Sequence, residues 1–179
     1  MRLGRHNAPV KPGEHPDFYR VAPPPGTSRE STIVLDRDGH FWHDGARVDH
    51  RPLAQAMHSW IARHPDDGRL ILSNGYDWCY FRADVAPFVV ASITLEEDGV
   101  RLALSDETVE RLDPTTLSLD ENGVVHVLVK AGQFEGSFSR HAQTALAPLL
   151  TSADPPRLRL GDREYSFATC GKSSEGRSP

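Results

Sequence analysis

The chain has 179 residues, a formal charge of −5 and a hydrophobic fraction of 38%. That length suits one domain or two small subdomains sharing a core, which seven Phe, three Trp and four Tyr can fill. The net negative charge excludes broad contact with a duplex nucleic-acid backbone, which needs a basic face, but leaves room for a local basic pocket that takes one small anion.

Residues 1–30 carry Pro9, Pro12, Pro16 and the run Pro23-Pro24-Pro25 with few large apolar side chains. Such a composition buries too little surface to offset its ordering entropy, which predicts an extended proline-rich arm. The opening MRLGRHNAPVKPGEHPDF has no apolar core ahead of a cleavage site, so it does not read as a secretory signal. The longest apolar runs are strand-sized and predict no membrane span. Cys79 and Cys170 lie far apart with no C-x-x-C, which implies neither a disulfide framework nor a cysteine zinc site. A reducing, cytoplasmic location is the expectation.

The globular part starts near Ser31. Thr32–Asp36 reads as a strand, and Asp38-Gly39 turns it into His40–His43. Asp44-Gly45 then turns that strand into Ala46–Val48. D-G pairs favour tight hairpins because glycine adopts positive φ without steric cost. Leu53, Met57, Trp60, Ile61 and His64 recur on one face of a helix, with Pro52 tolerated in its first turn and Asp66-Asp67-Gly68 ending it. Strands follow at Leu70–Ser73, Trp78–Arg82, Phe88–Leu95, Val100–Leu104, Thr108–Leu112, Leu117–Leu119, Val124–Lys130 and Phe134–Phe138. Ser139 caps a second helix predicted over Arg140–Leu150. A final hairpin pairs Arg157–Leu160 with Arg163–Phe167, and GKSSEGRSP is a polar tail. Strands, a helix, many strands and a helix make an α+β chain, not an alternating βαβ one. The expected divisions are the arm at 1–30, a first α+β half at 31–87, a second half with the C-terminal hairpin at 88–168, and a flexible tail at 169–179.

Residues Asp36–His50, DRDGHFWHDGARVDH, hold three histidines and four aspartates. On a strand His40 and His43 point to opposite sides, so they cannot grip one ion without help from Asp36, Asp38, Asp44 or His50. The stretch reads as a hairpin with polar turns, and no metal is assigned. Nor is Asp36-Arg37-Asp38-Gly39 a calcium loop, since its glycine comes early and no Glu closes it. Cys79 sits in the apolar run WCYF, where a thiol is quiet. No G-x-S-x-G occurs, and Gly171-Lys172-Ser173 lacks the glycine and strand that a phosphate-binding loop needs. No catalytic residue and no cofactor is assigned.

Two groups could bind a ligand. Trp78, Tyr80 and Arg82 share one side of a strand, where an aromatic can stack a base and an Arg can pair a phosphate; the same stripe also suits an edge strand with snorkelling stems. Lys130 with Arg140 and His141 clusters near the start of the second helix, where backbone N–H groups attract anions.

The run DGHFWHDGARVDHRPLAQAM resembles the opening of an uncharacterised bacterial family, domain of unknown function 1285: D-G-x-aromatic-aromatic-x-x-G-x-x-I-x-R-x-x-L. Ala86-Pro87-Phe88-Val89 resembles that family's A-P-F-V, while Asp106-Glu107 and Gly132–Arg140 (GQFEGSFSR) resemble its acidic turn and closing strand. The resemblance spans about residues 31–150. Val85 departs from it, standing where an acidic residue is usual, and His40, His43 and His50 have no counterpart. It implies a duplicated α+β core whose second half is loosely like a pleckstrin-homology fold. It further implies a pocket between the halves suited to a nucleotide-like ligand in signalling, with no established activity. The reading is a non-catalytic ligand-binding or signalling module in which Arg82 and Arg140 pair phosphate, and Trp78 or Tyr80 stacks a base, with Lys130 nearby. The alternatives are a metal-dependent hydrolase using Asp36, Asp38, His40 and His43, and a pure protein-interaction module. Partners are accordingly a nucleotide-like small molecule or a protein, with neither duplex nucleic acid nor membrane.

Overall fold

The computed structural model describes residues 11–169, so the first ten residues of the expected arm, Cys170, the Gly171-Lys172-Ser173 stretch and the rest of the tail lie outside the described residues. Contacts divide the chain into two units. One runs from the first described residues to Leu35 and from His40 to Ala83, the other takes Asp36–Gly39 and continues from Asp84. The expected division after Pro87 lies a few residues further along the chain.

In the first unit β1 (Glu30–Leu35), β2 (Phe41–His43) and β3 (Ala46–Arg47) form an antiparallel meander. Asp44 and Gly45 both have positive φ, 49° and 77°, and form the two-residue hairpin turn that the D-G pair predicted. Helix α1 (Arg51–Ser59) follows, capped by His50, whose Nδ1 accepts the Leu53 N–H at 3.2 Å. A second meander comprises β4 (Ile61–Arg63), β5 (Leu70–Ser73) and β6 (Trp78–Ala83).

The predicted continuation of α1 through Ile61 and His64 is not what forms. Trp60 closes the helix by donating its N–H to Ala56 and Met57 carbonyls, and its own carbonyl accepts the Ser73 N–H at 2.8 Å. Ile61–Arg63 then pairs antiparallel with Leu70–Leu72. Ladder bonds to β5 outweigh roughly one and a half more turns of helix, at a segment whose β-branched Ile61 favours a strand.

The second unit repeats the plan. Strands β7 (Phe88–Glu96), β8 (Gly99–Leu104) and β9 (Val109–Arg111) form one meander, and β10 (Ser118–Leu119), β11 (Val125–Val129) and β12 (Phe134–Phe138) the other. Helix α2 (Arg140–Leu146) comes next, shorter than predicted because Pro148 lies in a 3-10 turn over Ala147–Leu149. The hairpin β13 (Arg157–Leu160) and β14 (Arg163–Ser166) is separate from the main sheet, and β15 (Ala168–Thr169), unforeseen in the sequence, pairs parallel with β10.

The sheet orders are β3-β2-β1-β6-β5-β4 and β15-β10-β11-β12-β7-β8-β9. In each unit two antiparallel meanders join through one parallel pair, the first strand of the first meander against the last of the second: β1 with β6, β7 with β12. The duplication is therefore topological, in an α+β fold with a C-terminal hairpin. The second unit is a sheet followed by a helix. The helix changes place, lying between the meanders in the first unit and after them in the second, and the second unit adds the hairpin and β15.

The stretch 11–29, part of the expected extended arm, is packed. Phe18 is buried with Ile71 and Trp78, partly covered by Tyr19. Gly13 donates its N–H to the Gly75 carbonyl at 2.8 Å, an approach that a Cβ at Gly13 would block at 2.9 Å from the Gly75 Cα. Arg20 holds Asp66 through two bonds of 2.9 and 2.7 Å. One buried aromatic and two anchors suffice to order a segment whose composition alone reads as unfolded.

Candidate functional site

On the α1 side of the first sheet, Phe41 sets its ring 4.8 Å from His58 and 6.1 Å from Phe81. Beside this core the packing leaves a cleft of about 300 Å3. Ile33 and Cys79 line it from the sheet, Val48 from the chain after β3, and Leu53, Met57 and Trp60 from the helix end. Alternation explains the sheet contribution: Cys79 falls on the same face of β6 as Phe81, and Ile33 on the same face of β1 as the fully buried Leu35. Leu53 is 42% exposed at the rim.

The polar groups of this cleft are bound structurally. Asn74 Oδ1 accepts the amides of Tyr76 and Asp77, both at 2.8 Å. Asp77 pairs with Arg29, whose hydrogen bond holds its carboxyl below the usual range. Burial pushes the Cys79 thiol above its ordinary value, so it stays protonated and acts as an apolar lining group. Periodicity places the helix residues on one face and does not disclose the cleft. Its signal was the apolar Val48 directly after a turn-rich hairpin.

The predicted aromatic stripe lies on the opposite face. Strand β6 is interior, flanked by β1 and β5, so the edge-strand reading is corrected: the parallel partner comes from Glu30–Leu35, far back in the chain. Trp78 is 5% exposed. Its ring lies 5.0 Å from His64 and 5.9 Å from Tyr19, with the Arg29 guanidinium 4.6 Å from its centroid. Its Nε1 is buried without a hydrogen-bond partner. The Tyr80 ring carries the Arg69 guanidinium at 3.7 Å, and its hydroxyl donates to Asp67 at 2.8 Å. Arg82 is exposed at the strand end.

In the second unit Lys130 is enclosed by its own neighbours. Its Nζ lies 2.6 Å from Asp106, 3.3 Å from Glu110 and 5.1 Å from the Phe88 centroid. Arg140, the first residue of α2, is exposed, and Ser139 Oγ already accepts the Ala142 N–H at that helix start. Lys130 is thus committed to carboxylates of its own unit, while Arg140 faces solvent.

His126, not singled out from sequence, is buried on β11 with Glu135 2.8 Å from Nδ1 and Asp120 3.6 Å from Nε2. The Glu135 carboxylate raises its pKa against the opposing effect of burial, with Asp120 adding to the rise. A raised folded-state value stabilises the fold fully below the unfolded value of about 6.5, and that stability is lost as pH rises through the folded value. Urea midpoints measured from pH 6 upward are therefore expected to fall for the native chain, and to fall less for His126→Gln.

In the turn Asp36–His40 the ligand atoms of Asp36, Asp38 and His40 lie within 4.8 Å of one another, and His43 is not among them. The turn brings His40 round where strand alternation alone did not. Asp36 Oδ1 already accepts the Asp38 N–H at 2.9 Å, the bond of a polar turn.

The fold and cleft define a strand-rich α+β protein of two like units, and no helix among the described residues is long and apolar enough to cross a membrane. No protein-family model and no curated protein matches the chain. Among solved structures it is similar to a DUF1285 family protein from Silicibacter pomeroyi DSS-3, with a TM-score of 0.61 at 17% identity over 77% of this chain and 80% of that one. A DUF1285 family protein from Shewanella baltica OS155 matches with a TM-score of 0.55 at 14% identity, over 68% of this chain and 94% of the other. The fold is that of DUF1285 proteins, the family that the sequence motifs resemble.

Proposed function

We propose that the protein is a non-catalytic binding module that holds a small, largely apolar ligand in the cleft between α1 and the sheet of the first unit. The observation that carries this reading is the cleft itself. Apolar side chains from three elements converge on it, one of them left open at the rim, and its few polar groups are engaged in turns and ion pairs. Its volume, about 300 Å3, stands at the lower end of the range that small-molecule sites occupy.

A thermal-shift screen tests it. A ligand at about a hundred times its dissociation constant adds roughly 2.7 kcal/mol of stability. Apolar hits are expected, and Leu53→Asp, a change at an exposed helix position, is expected to abolish them without lowering the unliganded melting temperature. Apolar hits that survive Leu53→Asp, or none at all, would reject the cleft.

The second reading is the nucleotide-like anion and signalling role that the family resemblance implies. In the first unit exposed Arg82 supports it as a phosphate partner, and in the second unit, taken by itself, exposed Arg140 does. For Trp78 to stack a base, Phe18–Arg20 has to lift away; for Tyr80, Arg69 has to leave the ring; and Lys130 has to exchange Asp106 for the ligand. Nucleotide hits that vanish in Arg82→Ala or in Arg140→Ala, each tested singly, and persist in Leu53→Asp favour this reading over the first. A protein partner, the third reading, is favoured if every small molecule is silent.

A further inference from the structure

The second unit has a cleft of its own, about 460 Å3, between the β7–β8 turn and the hairpin β13–β14. We propose that it binds a zwitterionic small molecule with an apolar body, a short peptide of two or three residues with free ends. This is independent of the first-unit cleft.

The floor is apolar, from Leu112, Leu149 and Leu160. Charges of both signs rim it, acidic from the β7–β8 turn and basic from β9 and the hairpin, and most neutralise one another. Asp98 is taken by Arg111 at 2.8 Å, Glu96 by Arg101 at 2.8 Å, and Arg159 lies 3.7 Å from Glu164. Glu97 and Arg163 remain, with no such partner among the described residues, and they stand on separate elements of the same cleft.

The register of the hairpin makes the position of Arg163 informative. Arg163 pairs with Leu160, and Tyr165 with Leu158, so these four share one face. Leu158 on that face is fully buried. An arginine needed only for solubility belongs on the other face, where Arg157 and Glu164 stand, with Arg159 reaching from that face to the rim of the cleft. Arg163 instead shares the inner face beside an apolar floor.

A guanidinium takes a carboxylate through two parallel hydrogen bonds, and a free carboxylate takes an ammonium. One residual charge of each sign selects a ligand carrying one of each, separated by an apolar stretch that the leucines cover. A polyanion meets Glu96, Glu97 and Asp98 on the same rim, which disfavours a nucleotide here. The volume lies within the range of about 300–1,000 Å3 that holds drug-sized molecules.

The test is calorimetric titration of the full chain with leucyl-leucine, N-acetyl-leucyl-leucine and leucyl-leucinamide. Saturable binding of leucyl-leucine is expected, weakened about tenfold or more by blocking either end, a loss of about 1.4 kcal/mol or more. Arg163→Gln is expected to reduce the response to leucyl-leucine and leave that to leucyl-leucinamide unchanged. Glu97→Gln is expected to do the converse with the acetylated peptide. Arg157→Gln, on the outer face of the hairpin, serves as the control that keeps full affinity. Lack of saturation at millimolar peptide, equal binding of blocked and free peptides, or undiminished affinity in Arg163→Gln each overturns the proposal. Unchanged urea midpoints of these surface variants separate loss of binding from loss of fold.

Discussion

Replacing Trp78 by alanine is expected to destabilise the first unit by about 3–5 kcal/mol, the cost of emptying a buried aromatic site. The indole is where three parts of the chain meet: β6 that carries it, His64 before the β4–β5 turn, and Tyr19 from the segment ahead of β1. Two readouts check the expectation. Urea denaturation reports the loss, and limited trypsin digestion at Arg20 and Arg29 reports release of the segment that Trp78 and its neighbours hold. Trp78→Phe is expected to cost much less than the alanine change. It keeps most of the ring contacts and removes an indole N–H that is buried without an acceptor. Equal losses for the two variants would mean that ring packing does not hold this face together.

Lys130→Met is expected to cost about 1.5–3 kcal/mol, less than the roughly 3–5 of a fully buried pair because the lysine is partly exposed. The change leaves Asp106, only 9% exposed, without its cation. Burial pushes the Asp106 carboxyl up, yet Lys130 and the hydroxyl and amide of Thr108 together bring it below the ordinary value. A depressed folded-state value gives stability that is present above the unfolded value, about 3.9, and lost as pH falls through the folded value. The native chain and Lys130→Met are therefore expected to differ most near neutrality and to converge on acidification, in urea midpoints taken from pH 7 down to about 3. Asp106→Leu combined with Lys130→Met is expected to recover much of the loss, since it leaves no uncompensated charge. An undiminished gap at acid pH would show that the lysine acts through its aliphatic stem on Phe88, and not through the carboxylate.

Alternation and turn chemistry made most of the strands legible. Phe134–Phe138 and Arg157–Leu160 are where apolar period and turn residues put them, and the Asp44-Gly45 turn has the positive φ angles its residue types imply. Ser139 caps α2 as its position before an apolar helical face suggested. What the chain could not disclose locally is pairing between distant segments. Ile61–Arg63 has helical spacing to its own past, and only β5 makes it a strand. The 11–29 stretch has the composition of a loose arm, and only the sheet face carrying Ile71 and Trp78 orders it. The site suffered for the same reason. Trp78, Tyr80 and Lys130 have the residue chemistry of a ligand site, yet Phe18, Arg69 and Asp106 are already in contact with them or packed beside them. The two clefts, by contrast, are lined by leucines, valine, methionine and surface charges, which carry no signal until helix and hairpin place them together.

The parallel pair at the centre of each sheet bears on how the chain is made. Strand β1 leaves the ribosome long before β6, and β7 long before β12, so the middle of each sheet waits for the last strand of its second meander. A nascent chain can close its local meanders at once, but closing the loop between the outermost partners carries an entropic cost that is recovered only when the final strand docks. Until Trp78–Ala83 has emerged, Glu30–Leu35 presents one flank of unpaired backbone hydrogen-bonding groups. Each sheet thus gains its central parallel pair in a late step, after which β15 still has to add to β10 in the second. Translation pauses placed far enough past Ala83 and past Phe138 for those strands to clear the ribosomal exit tunnel would give the emerging halves time to seal.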